Sequence, residues 1–239
     1  MDHFGAFAAR YAAYRPLYPS ALVPALRAET LGNTAWDVGC GNGQLSLDLA
    51  GVFERVIATD PAQAQLDQAP PHPRIEYRCA SAEASGLPDA SVDLVVAAQA
   101  AHWFDWPRFI GEVERVARSG ALVALASYGN FEAPQDPAID RYREQVAPYW
   151  PPGREHVDNG YRDLVLPWTP VHAPALAMTA AWTRDELVGY IATWSATFRL
   201  VQDQGPTALG ELRDALATHW PDDERRQIRW PLAFHLARR

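Results

Sequence analysis

The nine residues Trp36-Asp37-Val38-Gly39-Cys40-Gly41-Asn42-Gly43-Gln44 constrain this chain more than any others. The short apolar run Ala35–Val38 reads as a strand that ends in Gly39. Three glycines alternate, and Leu45, Leu47, Leu49 and Val52 then suit a helix over Gln44–Phe53. Glycine lets a backbone turn tightly and approach a ligand closely, where a Cβ would block either. The helix start adds amide donors and a positive dipole end, which favour an anionic group such as a carboxylate. The plain alternative is a glycine-rich turn that binds nothing.

The same alternation continues. Arg55–Ala58 reads as a second strand ending at Thr59-Asp60, and Pro61 suits the first turn of a helix through about Ala69. Arg74–Cys79, Asp93–Ala98 and Ala121–Ala126 read as further strands, with a helix over Trp106–Ala117. Strands and helices in this order predict an α/β fold, a mostly parallel sheet with helices on both faces. After Ser127 the pattern changes. Helices are expected over Asp136–Val146, Arg184–Thr197 and Thr207–Trp220, and Leu164–Thr179 is extended and proline-rich. Ile228–Leu236 reads as a last strand, with Pro231 suited to an edge or irregular position. The 20 prolines cluster around 61–73, 134–152 and 167–174, which mark loops or the starts of elements.

Composition narrows the class. A hydrophobic share of 48% with 21% charged residues is that of a globular chain with a sizeable core. Charge or proline interrupts every apolar stretch before the roughly 18 residues of a membrane span. Met1–Arg10 lacks the basic start and apolar stretch of a secretory signal. Two cysteines, Cys40 and Cys79, make neither a disulfide framework nor a four-cysteine zinc site, and no cluster calls for a metal. A cytoplasmic setting is expected. The net charge of −8 disfavours a nucleic-acid partner.

Asp60 closes the second strand nineteen positions after Gly41. In open α/β sheets a carboxylate there accepts hydrogen bonds from both hydroxyls of a ribose, which supports any nucleoside cofactor. A dinucleotide turn wants its third glycine one place later, where Gln44 stands. The segment Ser81-Ala82-Glu83-Ala84-Ser85-Gly86-Leu87-Pro88 follows the third strand, where a loop could contact an adenine edge. It also reads as a helical turn capped by Ser81.

Asp-Val-Gly-Cys-Gly-Asn-Gly at 37–43 resembles motif I of class I S-adenosylmethionine-dependent methyltransferases. Asp60, Ser81-Ala82-Glu83 and Glu112–Ala124 fall where that superfamily has its later motifs. Arg118-Ser119 stands where it has Pro or Gly before Gly120, a mild departure in a turn. Tyr14-Arg15-Pro16-Leu17-Tyr18-Pro19, Gln99-Ala100-Ala101-His102-Trp103-Phe104-Asp105 and Thr193-Trp194-Ser195 are similar to the trans-aconitate methyltransferase group. The resemblance implies a Rossmann-like, seven-stranded sheet with a C-terminal part covering the substrate. It implies methyl transfer by in-line displacement to a small-molecule acceptor, with S-adenosylhomocysteine as product. A single domain over 1–239 is expected: a cofactor-binding half to about 127, an acceptor-pocket part over about 128–225, and a strand over 226–239 returning to the sheet. A nicotinamide-dependent oxidoreductase and an inactive cofactor-binding module are the rival readings.

Cofactor contacts are expected from Tyr11, Asp37, Gly39, Cys40, Gly41, Gly43, Asp60, Pro61, Ser81, Ala82, Glu83 and Gln99. The resemblance puts Gln99–Asp105 opposite the donated methyl, with Tyr14, Tyr18 and Trp103 toward the acceptor. His102 could be a general base, shape the pocket or cap the next helix. Asp105 before Trp106-Pro107 fits an N-cap. Arg15, with a planar fork among tyrosines and prolines, is suited to holding a carboxylate of substrate or cofactor, or to a surface ion pair. The tryptophans 182, 194, 220 and 230 read as core of the C-terminal part.

Overall fold

A computed structural model describes residues 16–132 and 136–239. Two compact units are distinguished. The sheet unit takes residues 18–130, 155–177 and 231–239; among the described residues the other is built from 16–17, 131–132, 136–154 and 178–230. Segment 155–177 thus belongs with the sheet, although it lies well past the change of pattern at Ser127.

The strands are β1 (Thr34–Val38), β2 (Arg55–Asp60), β3 (Ile75–Cys79), β4 (Val92–Ala98), β5 (Ala117–Tyr128), β6 (Thr169–Val171), β7 (Leu176–Trp182) and β8 (Arg226–Arg238). Seven lie in the order β3-β2-β1-β4-β5-β8-β6, and β7 pairs with β8 off this path. The pairs from β3 to β5 are parallel, while β8 runs antiparallel to β5 and β6. The expected seven-stranded Rossmann-like sheet is present. Pro231 lies in β8 just before Leu232, where the register with β5 begins, so it costs no hydrogen bond to β5, and Pro170 sits in the short strand β6 at the end of the order.

The helices of the sheet unit are α1 (Leu22–Glu29), α2 (Gln44–Ala50), α3 (Gln63–Leu66) and α4 (Trp106–Val116). Alternation along β1 shows both layers. Trp36 and Val38 join Phe109, Val113 and Val116 of α4 in one buried cluster. Asp37, on the opposite face, meets Ser46 of α2. Central positions of β1, β4 and β5 are almost wholly buried, as a sheet covered on both faces requires.

Several boundaries differ from expectation. The helix after Pro61 is a single turn, Gln63–Leu66, in a proline-rich stretch that continues to Pro73. Residues 81–84 form a tight turn bridged between Ser81 and Ala84 rather than a capped helical turn. α1 carries no sequence expectation.

In the second unit lie α5 (Pro137–Val146), α7 (Arg184–Ala192), α8 (Ser195–Gln204) and α9 (Thr207–Ala217), while α6 (Arg154–Asp158) opens segment 155–177. The single helix expected over Arg184–Thr197 is two, because Trp194 is extended. Its ring packs against Phe131, Trp150 and Tyr190 at 5.6–6.1 Å between centroids. Trp194, Trp220 and Trp230 are buried and Trp182 half-buried, so these tryptophans do form that unit's core. Among the described residues no helix is long and apolar enough to cross a membrane.

Candidate active site

The glycine turn is woven onto the end of β2. The Gly39 and Cys40 amides both donate to the Thr59 carbonyl, at 2.8 and 3.0 Å, and the Gly43 amide to Cys40. All three glycines have positive φ: +69°, +55° and +81°. Their surroundings separate them. A Cβ on Gly39 would stand 2.5 Å from the Ala100 Cβ, and one on Gly43 would be 2.4 Å from the Tyr77 hydroxyl. A Cβ on Gly41 would meet nothing within 4 Å. Gly39 and Gly43 are small because protein packs on them, and Gly41 because it borders open space.

Asp60 joins this turn from β2. Its Oδ2 accepts from the Gly41 amide at 2.9 Å, and its Oδ1 from the Ala62 amide at 2.8 Å. Asp37 lies beneath, fully buried, with the Ser46 hydroxyl donating to Oδ2 at 2.6 Å. Burial pushes its carboxyl up to about 7, against the Ser46 bond and with the charge of Asp60. Its side chain therefore ties the turn to α2. Burial also raises the Cys40 thiol, helped by Asp37 and Asp60, so that the thiolate is disfavoured. Tyr77 on β3 is a site neighbour that nothing in the sequence singled out. Its hydroxyl is buried without a hydrogen-bond partner, and burial pushes the phenol up to about 12.

The loop after β3 is anchored from two sides. Glu83 Oε1 accepts from the Asp105 amide at 2.9 Å, linking this loop to the one after β4. The buried Ser85 donates to Glu112 on α4, which Arg115 also holds. Burial works to raise the Glu112 carboxyl, but the Arg115 and Ser85 hydrogen bonds outweigh it and leave it below the ordinary range. Ala82 is buried, Ser81 half-buried and Pro61 exposed.

The loop after β4 starts with strain. Gln99 has φ +55°, costly for a residue with a Cβ. Its side-chain amide compensates by donating to the Tyr128 carbonyl at 3.0 Å and accepting from the Tyr128 amide at 2.9 Å. The side chain of Gln99 thus serves the fold, and its amide donates to the Ala126 carbonyl at 2.7 Å. A single 3₁₀ turn over Ala101–Trp103 carries His102, and Asp105 caps α4 by accepting from the Arg108 amide, so His102 is not that cap. The Trp103 ring is 61% exposed and stands 4.8 Å from the His102 ring. His102 Nδ1 is 2.7 Å from the Tyr161 hydroxyl. Tyr18 packs edge-on against Tyr128 at 6.4 Å. Of the expected site residues, Tyr11, Tyr14 and Arg15 lie outside the described residues.

A sheet of this order, parallel except for β8, with a glycine turn after β1 and an acidic residue closing β2, is a Rossmann-like fold suited to a nucleoside cofactor. The methyltransferase domain family matches over residues 36–125. A candidate methyltransferase of Dictyostelium discoideum is 30% identical over 90% of this chain and 85% of its own. An uncharacterized methyltransferase of Mycobacterium tuberculosis is 30% identical over 90% of this chain and 86% of its own. The solved structure of a candidate type II methyltransferase from Anaeromyxobacter dehalogenans superposes with a TM-score of 0.85. It is 43% identical and covers 94% of this chain and 98% of its own. The chain belongs to the S-adenosylmethionine-dependent methyltransferase family. The nicotinamide reading is not favoured by these relationships.

The residues present fit the methyl donor. Gly41 leaves open the space that a Cβ would fill, and Asp60 holds a carboxylate at the rim of that space.

Proposed function

We propose that this chain methylates a small molecule bearing a carboxylate. The donor supplies an electrophilic methyl group on a sulfonium. In this reading Gly41 admits the donor beside the turn, and the remaining acceptor capacity of Asp60 takes its ribose hydroxyls. Gly39, Cys40, Gly43 and Asp37 shape that turn from behind. Ser81, Ala82 and Glu83 hold the loop beside the nucleoside base, with Pro61 and the main chain of Gln99 at its edges.

The observation that carries the acceptor reading is Trp103, a large aromatic left exposed beside His102 in the loop after β4. Such a wall suits a small organic molecule. The carboxylate follows from the resemblance to the trans-aconitate group and from the chemistry of Arg15 and the tyrosines near it. A carboxylate with an ordinary pKa of about 4 is already a nucleophile at neutral pH, so it needs alignment more than a base. The test is incubation with S-adenosylmethionine and matched sets of carboxylic acids, phenols, amines and oligonucleotides, read by mass spectrometry for an added methyl group. Methyl esters are expected from the acids. Methylation confined to amines or to an oligonucleotide contradicts the reading.

A further inference from the structure

Tyr161 adopts a conformation that its residue type avoids. Its φ is +59°, and it follows Gly160 at φ +67°, so two successive residues are left-handed. For a bulky aromatic this is a strained backbone that persists only when the surroundings over-determine it. They do. The Tyr161 amide donates to the His156 carbonyl at 2.7 Å, and the Leu164 amide returns to the Tyr161 carbonyl at 3.1 Å. His235 Nε2 reaches the Gly160 carbonyl at 2.7 Å, and a Cβ on Gly160 would stand 3.0 Å from the Ala233 Cβ. The ring itself is 1% exposed, in the cluster with Val157, Leu164, Ala101 and Phe109.

The buried side chain makes a polar contact with the loop after β4. The Tyr161 hydroxyl lies 2.7 Å from His102 Nδ1, with ring centroids 6.0 Å apart. Burial raises the phenol, against the main-chain N–H groups of His102 and Ala101 that favour its oxygen, so the hydroxyl keeps its proton. A hydroxyl that keeps its proton, 2.7 Å from Nδ1, is placed to donate to it.

We propose that Tyr161 is a positioning residue, which holds His102 as the tautomer with its proton on Nε2. A neutral imidazole has one donor and one acceptor nitrogen, and the hydrogen bond at one settles the other. With Nδ1 accepting from Tyr161, His102 presents an N–H at Nε2. It is then a hydrogen-bond donor able to orient an anionic oxygen, and not a base that removes a proton. This rests on the carboxylate reading for its use in catalysis, but the tautomer itself does not depend on the acceptor.

The test is a long-range ¹H–¹⁵N spectrum of protein labelled at histidine, recorded at a pH where imidazole is neutral. The His102 signals are assigned by their loss in His102→Gln. In the wild type, Nδ1 is expected to be unprotonated and Nε2 protonated. In Tyr161→Phe, with the melting temperature and S-adenosylhomocysteine affinity followed alongside, the Nδ1–H form is expected to appear. A wild-type His102 with its proton on Nδ1 overturns the proposal, and this holds even should Tyr161→Phe fail to fold. A folded Tyr161→Phe protein with an unchanged tautomer overturns it too. Methylation of amines alone would contradict the substrate reading and leave the spectrum as expected, so the two failures are distinguishable.

Discussion

Asp60 and Gly41 are joined by a hydrogen bond of 2.9 Å from the Gly41 amide to Asp60 Oδ2. The end of β2 therefore fixes the middle of the turn after β1, at the one of its three glycines that borders open space. The carboxylate is aligned in advance, since its other oxygen already accepts from Ala62. Asp60→Ala should consequently lower stability by about 1–3 kcal/mol, the cost of leaving a half-buried amide without its acceptor. Thermal or urea unfolding of the ligand-free protein measures this.

The three glycines should fail differently. Gly39→Ala meets the Ala100 Cβ and Gly43→Ala the Tyr77 ring, so each should lose about 2–4 kcal/mol from overlap and backbone strain together. Gly41→Ala meets nothing and should lose only about 1 kcal/mol, from its positive φ. Gly41→Val should fold yet bind S-adenosylhomocysteine about a hundredfold more weakly, because its side chain enters the open space. Unfolding curves and calorimetry, taken together, distinguish packing from ligand access. Equal losses of stability at all three positions would contradict the distinction.

Asp37 gives a pH dependence of definite sign. Its carboxyl moves from an ordinary 3.8 to about 7 in the folded chain because burial disfavours the charge. The folded state then holds a proton that the unfolded state has released. Its contribution is fully present below about pH 4 and is lost as pH rises toward about 7. Asp37→Asn should flatten this decline by up to about 1.4 kcal/mol per pH unit. Urea unfolding of both proteins at several pH values between 4 and 8 checks it. Parallel profiles would mean that Asp37 is ionised in the folded protein throughout.

The Gln99 clamp on Tyr128 can be cut in halves. Gln99→Glu keeps an acceptor for the Tyr128 amide but loses the donor to its carbonyl, whereas Gln99→Ala loses both. Destabilisation of about 1–3 kcal/mol is expected for alanine and less for glutamate at a pH where it is protonated and can donate. Chemical denaturation at pH 5 and pH 8 separates the two variants.

Much of this was legible in the sequence because it is local. The apolar runs of β1, β4 and β5 are buried on both faces, and the glycine turn and Asp60 each announce a strand end. Asp105 caps α4 where a residue before Trp106-Pro107 should. What was not legible depends on distant partners. The break at Trp194 comes from an aromatic cluster with Phe131, Trp150 and Tyr190, and no helix propensity encodes it. Tyr161 reaches His102 across 59 residues by way of a strained turn, and only Asn159-Gly160 hinted that a turn lay there. The hydrogen bonds of the Glu83 and Gln99 side chains to the Asp105 and Tyr128 main chains likewise join residues 22 and 29 positions apart, and no local pattern announces them. A helix Arg184–Thr197 was a reasonable expectation, since Thr183 and Glu186 do form a capping box.

Calorimetric titration of S-adenosylhomocysteine into the wild type and into folded Asp60→Ala tests the cofactor cleft most directly. The wild type should bind and show no heat with a nicotinamide dinucleotide. Asp60→Ala should bind more weakly by about 1.5–3 kcal/mol, roughly ten- to a hundredfold. Equal affinity in the two proteins, or binding of the nicotinamide dinucleotide in place of S-adenosylhomocysteine, would contradict a cleft built on Gly41 and Asp60.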